Sequence, residues 1–227
     1  MDSDTPAIQL SPLETRILGA LIEKAVTTPE YYPLTLNALL AACNQKNNRA
    51  PVLTLDEETL ARGIYSLQEK HLLESFAGAT ARALKYRERL TGNLALAPDE
   101  RALLCELMLR GPQTTGELRS RAARMHPFNT LEEVQATLDR LAANPAGPLI
   151  AELPRQPGHK ETRVAHLLGN EPPSVESPQT ELPPPAAVAA VMGEASRLAA
   201  LETRIAALED EIAGLKSLFK TFQSQFE

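Results

Sequence analysis

Positive charge is the one chemistry that this sequence collects into local groups, and its natural counterpart is a phosphate backbone. Arg119, Arg121 and Arg124 crowd a single short segment. Lys46 and Arg49 share the polar run Asn44-Gln45-Lys46-Asn47-Asn48-Arg49-Ala50-Pro51. Arg82, Lys85, Arg87 and Arg89 gather in one stretch, and Arg155, His159, Lys160 and Arg163 in another. Such side chains can hold a nucleic-acid backbone through charge and hydrogen bonds without reading bases. The competing expectation is a set of solvated loop residues, with Arg119 and Arg121 paired to Glu100, Glu117 or Glu133. Asn44, Asn47 and Asn48 have the amide chemistry that reads adenine, but asparagine also ends helices and forms turns, and that plainer role is expected here.

Catalysis has no comparable signature. There is no glycine-rich phosphate loop, no HExxH helix and no nucleophile elbow. His71, His126, His159 and His166 stand singly, without the spacing of metal ligands. Neither an enzyme nor a metal or cofactor site is expected. Cys43 and Cys105 lie in separate apolar segments, neither in a CxxC pair, and read as buried thiols of a reducing compartment.

The elements that position these charges follow from spacing. Thr114-Thr115-Gly116-Glu117 is a capping box, with a hydroxyl at the N-cap and a carboxylate three residues on. Leu118, Ala122 and Met125 then form a narrow apolar stripe, so a short helix that follows the Thr114 cap and carries the basic stretch 117–125 is expected, with Arg119 and Arg121 flanking the stripe and Arg124 pointing outward. Ser11-Pro12-Leu13-Glu14 opens an earlier helix whose apolar face is Leu13, Ile17, Leu21 and Ile22, ending near Ala25. Pro29 and Pro33 interrupt the chain, and a second helix is expected over 34–43. A third runs over 56–70, with Leu60, Ile64 and Leu67 inward. The period then shortens, and residues 72–76 and 84–87 read as a hairpin.

The order then repeats. A helix over 98–110 stops at Gly111-Pro112, and the arginine-bearing helix follows. Thr130-Leu131-Glu132-Glu133 is a further capping box opening a helix with Val134, Leu138 and Leu141 inward. Residues 149–153 and 163–168 make a second hairpin. Three helices and a hairpin, twice over, describe two tandem winged-helix domains, 8–92 and 93–168, in a mainly α chain with small β-hairpins.

Composition agrees with a helical core and bounds the partners. Of 227 residues 43% are hydrophobic, yet aromatics reach only 4% and there is no tryptophan, so Leu, Ala, Ile and Val must fill the interior. The net charge of −6 is uneven: Lys and Arg against Asp and Glu number 10 to 11 over 1–92, 9 to 9 over 93–168, and 4 to 9 over 169–227. The acidity sits in the tail, so a low pI does not exclude a nucleic-acid partner for the body. No secretory leader is apparent at the N-terminus and no apolar run is long enough for a membrane span, so a cytoplasmic protein without membrane contact is expected.

Residues 169–186 carry six prolines among polar residues and read as a disordered linker. Over 187–227 a helix is expected again. Leu198, Leu201, Ile205, Leu208, Ile212 and Leu215 alternate three- and four-residue spacings that Phe219, Phe222 and Phe226 continue. Ile at a with Leu at d favours a parallel coiled-coil homodimer through 198–226. Arg197 opposite Glu202, Arg204 opposite Glu209 and Glu211 opposite Lys216 fit that register. One amphipathic helix folded back on the body is the alternative.

Thr27-Thr28-Pro29-Glu30-Tyr31-Tyr32-Pro33-Leu34, Ala42-Cys43-Asn44-Gln45-Lys46-Asn47-Asn48-Arg49-Ala50-Pro51-Val52 and residues 117–125 resemble the YceH family of bacterial proteins over about residues 8–168. The resemblance implies two winged helices in a bacterial cytoplasmic protein and supplies no activity, since fold does not establish function. The residues themselves raise an objection to groove reading. In helix-turn-helix proteins the N-terminal residues of the reading helix meet base edges. Here the two third helices begin with Asp56-Glu57-Glu58 and with Glu132-Glu133, carboxylates that would face phosphates.

Two functions are therefore expected, the first ahead of the second. One is a dimeric DNA-associated protein contacting double-stranded DNA mainly through its backbone, at Lys46, Arg49, Arg82, Lys85, Arg87, Arg119, Arg121, Arg124, Arg155 and Lys160. The other is a protein–protein docking module with an unidentified protein partner.

Overall fold

A computed structural model describes residues 8–77, 83–155 and 161–169. The expected linker beyond Gly169, the residues 198–226 expected to form a coiled coil, Arg82 and Lys160 lie outside the described residues. Those described fall within one compact unit.

Helix α1 (Pro12–Thr27) starts where the sequence places it. Ser11 Oγ accepts from Glu14 N, and the Glu14 carboxylate accepts from Ser11 N at 2.6 Å, closing the capping box. The helix is buried on all sides from Glu14 to Glu23, so it is the central rod of the unit rather than a surface helix. Around it lie β1 (Leu34–Thr35), α2 (Leu36–Cys43), α3 (Glu57–Glu69) and the hairpin β2 (Leu73–Phe76) and β3 (Lys85–Glu88). A short α4 (Leu90–Asn93) leads to α5 (Pro98–Arg110), α6 (Thr115–Ala122) and α7 (Leu131–Ala142), and then to a second hairpin, β4 (Ile150–Leu153) and β5 (Arg163–His166).

Four local expectations need correction. Leu34 and Thr35 do not begin the second helix; they pair with Tyr86 and Lys85, and Thr35 Oγ1 instead caps α2 by accepting from Ala38 N. The first sheet is thus three-stranded, ordered β1-β3-β2. Helix α6 ends at Ala122 rather than running to Met125, which takes Arg124 off its face. The capping box expected at Thr130 closes on one side only: Thr130 Oγ1 accepts from Glu133 N, but the Glu133 carboxylate reaches one residue further back, to Asn129 N at 2.7 Å. Helix α4 has too few residues to show a period, and nothing in the spacing announces it.

The second half follows a similar order of elements, with a two-stranded sheet in place of three strands. Gln113 and Val164 exchange backbone hydrogen bonds of 3.0 and 2.8 Å, so the segment before α6 lies beside β5 as β1 lies beside β3. One apolar cluster runs through both halves, from Leu10, Ile17 and Leu21 to Leu103, Leu107 and Leu138. Leu10 N donates to Leu168 O at 2.7 Å, tying the start of the first half to the end of the second.

The two first helices, α1 and α5, meet at Gly19. A Cβ there would stand 2.9 Å from Leu109 Cδ2 and 3.0 Å from Leu109 Cγ, while Cys105 Sγ donates to Gly19 O at 3.3 Å. Gly19→Ala is therefore expected to destabilise the protein by about 1 kcal/mol, overpacking outweighing the better helix propensity. Urea denaturation of the variant checks this. An unchanged or higher midpoint would show that the two helices have room to separate.

Candidate functional site

The basic groups end up in very different surroundings. The capping box of α6 forms on both sides: Thr114 Oγ1 accepts from Glu117 N at 3.2 Å, and Glu117 Oε2 accepts from Thr114 N at 3.0 Å. That start sets the direction of the arginines after it. Arg119 donates to Phe128 O at 3.3 Å and Asn129 O at 2.6 Å, closing the turn that leads into α7. Arg121 pairs with Glu117 at 3.1 Å, one of the partnerships the sequence suggests, and donates to Gln113 Oε1 at 2.9 Å. Arg124, beyond the end of α6, turns inward and bridges Glu23 of α1 and Glu106 of α5, its Nε lying 3.1 Å from Glu106 Oε1.

Those two acids form the most unusual feature of the protein. Their side chains are 1% and 0% exposed, respectively. Arg49 is buried with them. Its Nη2 lies 2.5 Å from Glu23 Oε2 and its Nη1 3.2 Å from Glu23 Oε1, while Nε and Nη2 also donate to Ala42 O at the end of α2. Arg110 pairs with Glu106 at 3.3 Å and donates to Asn48 Oδ1. Asn48 adopts φ 59°, a left-handed conformation that asparagine tolerates. Ala50 N donates to Leu109 O at 2.9 Å. The polar loop 44–51 is thereby fastened across the end of α5.

Electrostatics agree with this geometry. Burial by itself would raise the pKa of Glu23, but hydrogen bonds and charge from Arg49, then Arg124, hold it below the ordinary carboxylate range. Burial raises Glu106 above that range, against the attraction of Arg124 and Arg110. Arg16, also buried, donates to Cys43 O at 3.2 Å and Pro51 O at 2.5 Å. Burial and then the nearby charge of Arg49 bring its guanidinium down to about 10. These charges can clamp α1, the 44–51 loop, α5 and the end of α6.

The other expected contacts are scattered. Lys46 is exposed on its loop and Lys85 half-buried on β3, neither with an ion pair among the described residues. Arg87 pairs with Glu74, and Arg89 reaches the same carboxylate at 3.5 Å. Arg155 is exposed just beyond β4. Asn44 closes its own loop, exchanging hydrogen bonds with Leu55 N and O. The outward faces of the third helices stay acidic: Glu57, Glu58 and Glu69 on α3, and Glu132, Glu133 and Asp139 on α7, are exposed.

Glu23, Glu106 and Arg16 are the important residues that spacing alone misses. A signal exists for the two acids. Each follows an apolar run, Ile17-Leu18-Gly19-Ala20-Leu21-Ile22 or Ala102-Leu103-Leu104-Cys105, that leaves its helix no solvent face. An acid there must be buried, and a buried acid requires a partner. Elsewhere, an open depression of about 940 Å³ lies between Ile8–Ser11 and α3. Its acid, Glu14, is already bonded to Ser66 and Lys70, each at 2.8 Å. No helix among the described residues is long and apolar enough to cross a membrane.

The family described as "protein of unknown function, DUF480" matches residues 10–159. A UPF0502 protein of Geobacter sulfurreducens is 50% identical over 220 residues, covering 97% of this chain and 99% of its own length. A UPF0502 protein of Geotalea uraniireducens is 51% identical, covering 97% and 99% of the two chains. The UPF0502 protein YceH of Escherichia fergusonii is 44% identical, covering 86% and 90%.

Proposed function

The chain belongs to this family of unknown function, and we propose that its body is a non-catalytic protein-docking module. In this reading the body is a pair of winged helices whose outer surfaces, rather than a groove-reading helix, meet the partner. One observation carries it. The guanidinium groups that the sequence offers to DNA are engaged within the protein at Arg49, Arg119, Arg121 and Arg124: Arg49 and Arg124 on buried carboxylates, Arg121 on Glu117, and Arg119, still exposed, on the carbonyls before α7, while α3 and α7 present carboxylates outward. Phosphates approaching either third helix would meet like charge. The tail supports a homodimer through Leu198, Leu201, Ile205, Leu208, Ile212 and Leu215, which would present two such bodies together.

A second reading, double-stranded DNA held by its backbone, is favoured by the exposure of Lys46, Arg87 and Arg89. Fluorescence anisotropy of the full chain against a labelled mixed-sequence duplex separates the two. The docking reading expects no binding that responds to salt from low to moderate ionic strength. Duplex binding that weakens steeply with salt and falls in Lys46→Ala/Lys85→Ala would overturn it in favour of the backbone reading.

A further inference from the structure

The first hairpin combines three features found together nowhere else among the described residues. Strand β2 is the outer strand of its sheet, and among the described residues its far backbone edge receives no hydrogen bond. Such an edge is a row of unpaired N–H and C=O groups. The register Glu74↔Arg87 and Phe76↔Lys85 puts these four side chains on one face. Arg89 joins them by reaching Glu74. Three cations thus stand against one carboxylate, in a chain whose net charge is −6. Lys85 has no ion pair among the described residues, and the side chains of Arg87 and Arg89 are 47% and 50% exposed. The third feature is apolar: Phe76 is 37% exposed, with the Arg87 guanidinium 5.7 Å from its ring centroid, and Leu84, just before β3, is 52% exposed.

From this arrangement we infer that the edge of β2 takes up an extended acidic peptide as a further strand of the sheet. The inference rests on the docking reading and names the partner's chemistry. Main-chain pairing along β2 supplies the general attraction. Side chains two positions apart on the added strand share a face, so a carboxylate would meet Arg87 and Arg89 while an apolar group two residues along covers Phe76. The charge of the patch selects acid. The edge itself selects peptide over nucleic acid, because a phosphodiester offers only acceptors and would leave the carbonyls of β2 facing anions. An added peptide strand satisfies both the N–H and the C=O groups.

A displayed library of random decapeptides, selected on the full-length chain, tests this. The expected selection is enriched in acidic and apolar residues at alternate positions. A fluorescein-labelled winner should lose roughly tenfold in affinity against Lys85→Gln/Arg89→Gln and against Phe76→Ala. It should also lose binding when alternate amides of the peptide are N-methylated, and it should shift the amide resonances of Leu73–Phe76. These variants alter exposed or half-buried side chains, and circular dichroism with thermal melting confirms that each is folded. Selection without acidic enrichment, no selection at all, or binding unaffected by the variants and by N-methylation overturns the inference. Peptides that bind but shift resonances elsewhere overturn the β2 site and leave the docking reading standing. Duplex DNA that binds and is lost in Lys85→Gln/Arg89→Gln overturns both.

Discussion

Replacing Arg49 with methionine is expected to destabilise the protein by about 3–5 kcal/mol, the usual cost of removing one partner from a buried ion pair. The native pair is not itself the source of that figure. Two charges taken out of water lose hydration that their attraction only roughly restores. What the substitution does is leave Glu23, with its side chain 1% exposed, dependent on Arg124, which is 27% exposed, and on the longer contact with Lys24 at 3.7 Å. It also removes two donors from Ala42 O at the end of α2. Methionine matches the volume and can fill the space, so the loss reports charge and hydrogen bonding more than a cavity. Arg49→Lys should fall between, since an ammonium cannot grip a carboxylate with two parallel bonds and a carbonyl besides. Glu23→Gln/Arg49→Met, with no stranded anion, should regain part of the loss. Urea denaturation of the three variants measures the series. A loss below about 1 kcal/mol for Arg49→Met would mean that the pair is dispensable to the fold.

Acidification should weaken the protein through His166. Its Nδ1 is sealed in the structure with no hydrogen-bond partner among the described residues, and burial alone lowers its pKa to about 4 from 6.5. Between those two values the unfolded chain binds a proton that the folded protein does not. Stability from this group is therefore complete above pH 6.5 and is lost as pH falls toward 4, amounting to about 2 kcal/mol at pH 5. The acids held low, Glu14, Glu23 and Asp99, add their own loss below the ordinary carboxylate range, while Glu106, held high, acts in the opposite direction. His166→Leu isolates the effect. Unfolding free energies at pH 7 and pH 5 should converge in the variant by about 2 kcal/mol relative to the native chain. An equal pH dependence in both proteins would show that solvent reaches the ring.

Much of the path of the chain is legible in residue types and their spacing. Serine and threonine caps with a glutamate three residues on located the starts of α1 and α6, and the span 98–110 is that of α5 itself. Such signals are local: a cap is decided by the few residues that satisfy the first free N–H groups of a helix. Where a local signal had two solutions, it was less informative. Glu133 chose Asn129 N over its own N-cap, and Leu34-Thr35 chose a strand partner some fifty residues away over the first turn of α2.

The destination of the charges is a different matter. Arg49 stands in a polar run and Arg124 near two other arginines, so by sequence both belong to a surface. Which face a helix presents follows from its period; which residue waits opposite follows from the packing of elements far apart in the chain. Glu23 and Glu106 come together only because α1 packs against α5 at Gly19. Once there, neither acid can remain buried without drawing in a cation, and the 44–51 loop and the end of α6 supply it. Residue types and spacing determined the long helices, the caps of α1 and α6 and the acidic faces of α3 and α7. The tertiary structure decided which arginines face solvent, because burying a carboxylate creates a demand for positive charge that no stretch of sequence displays.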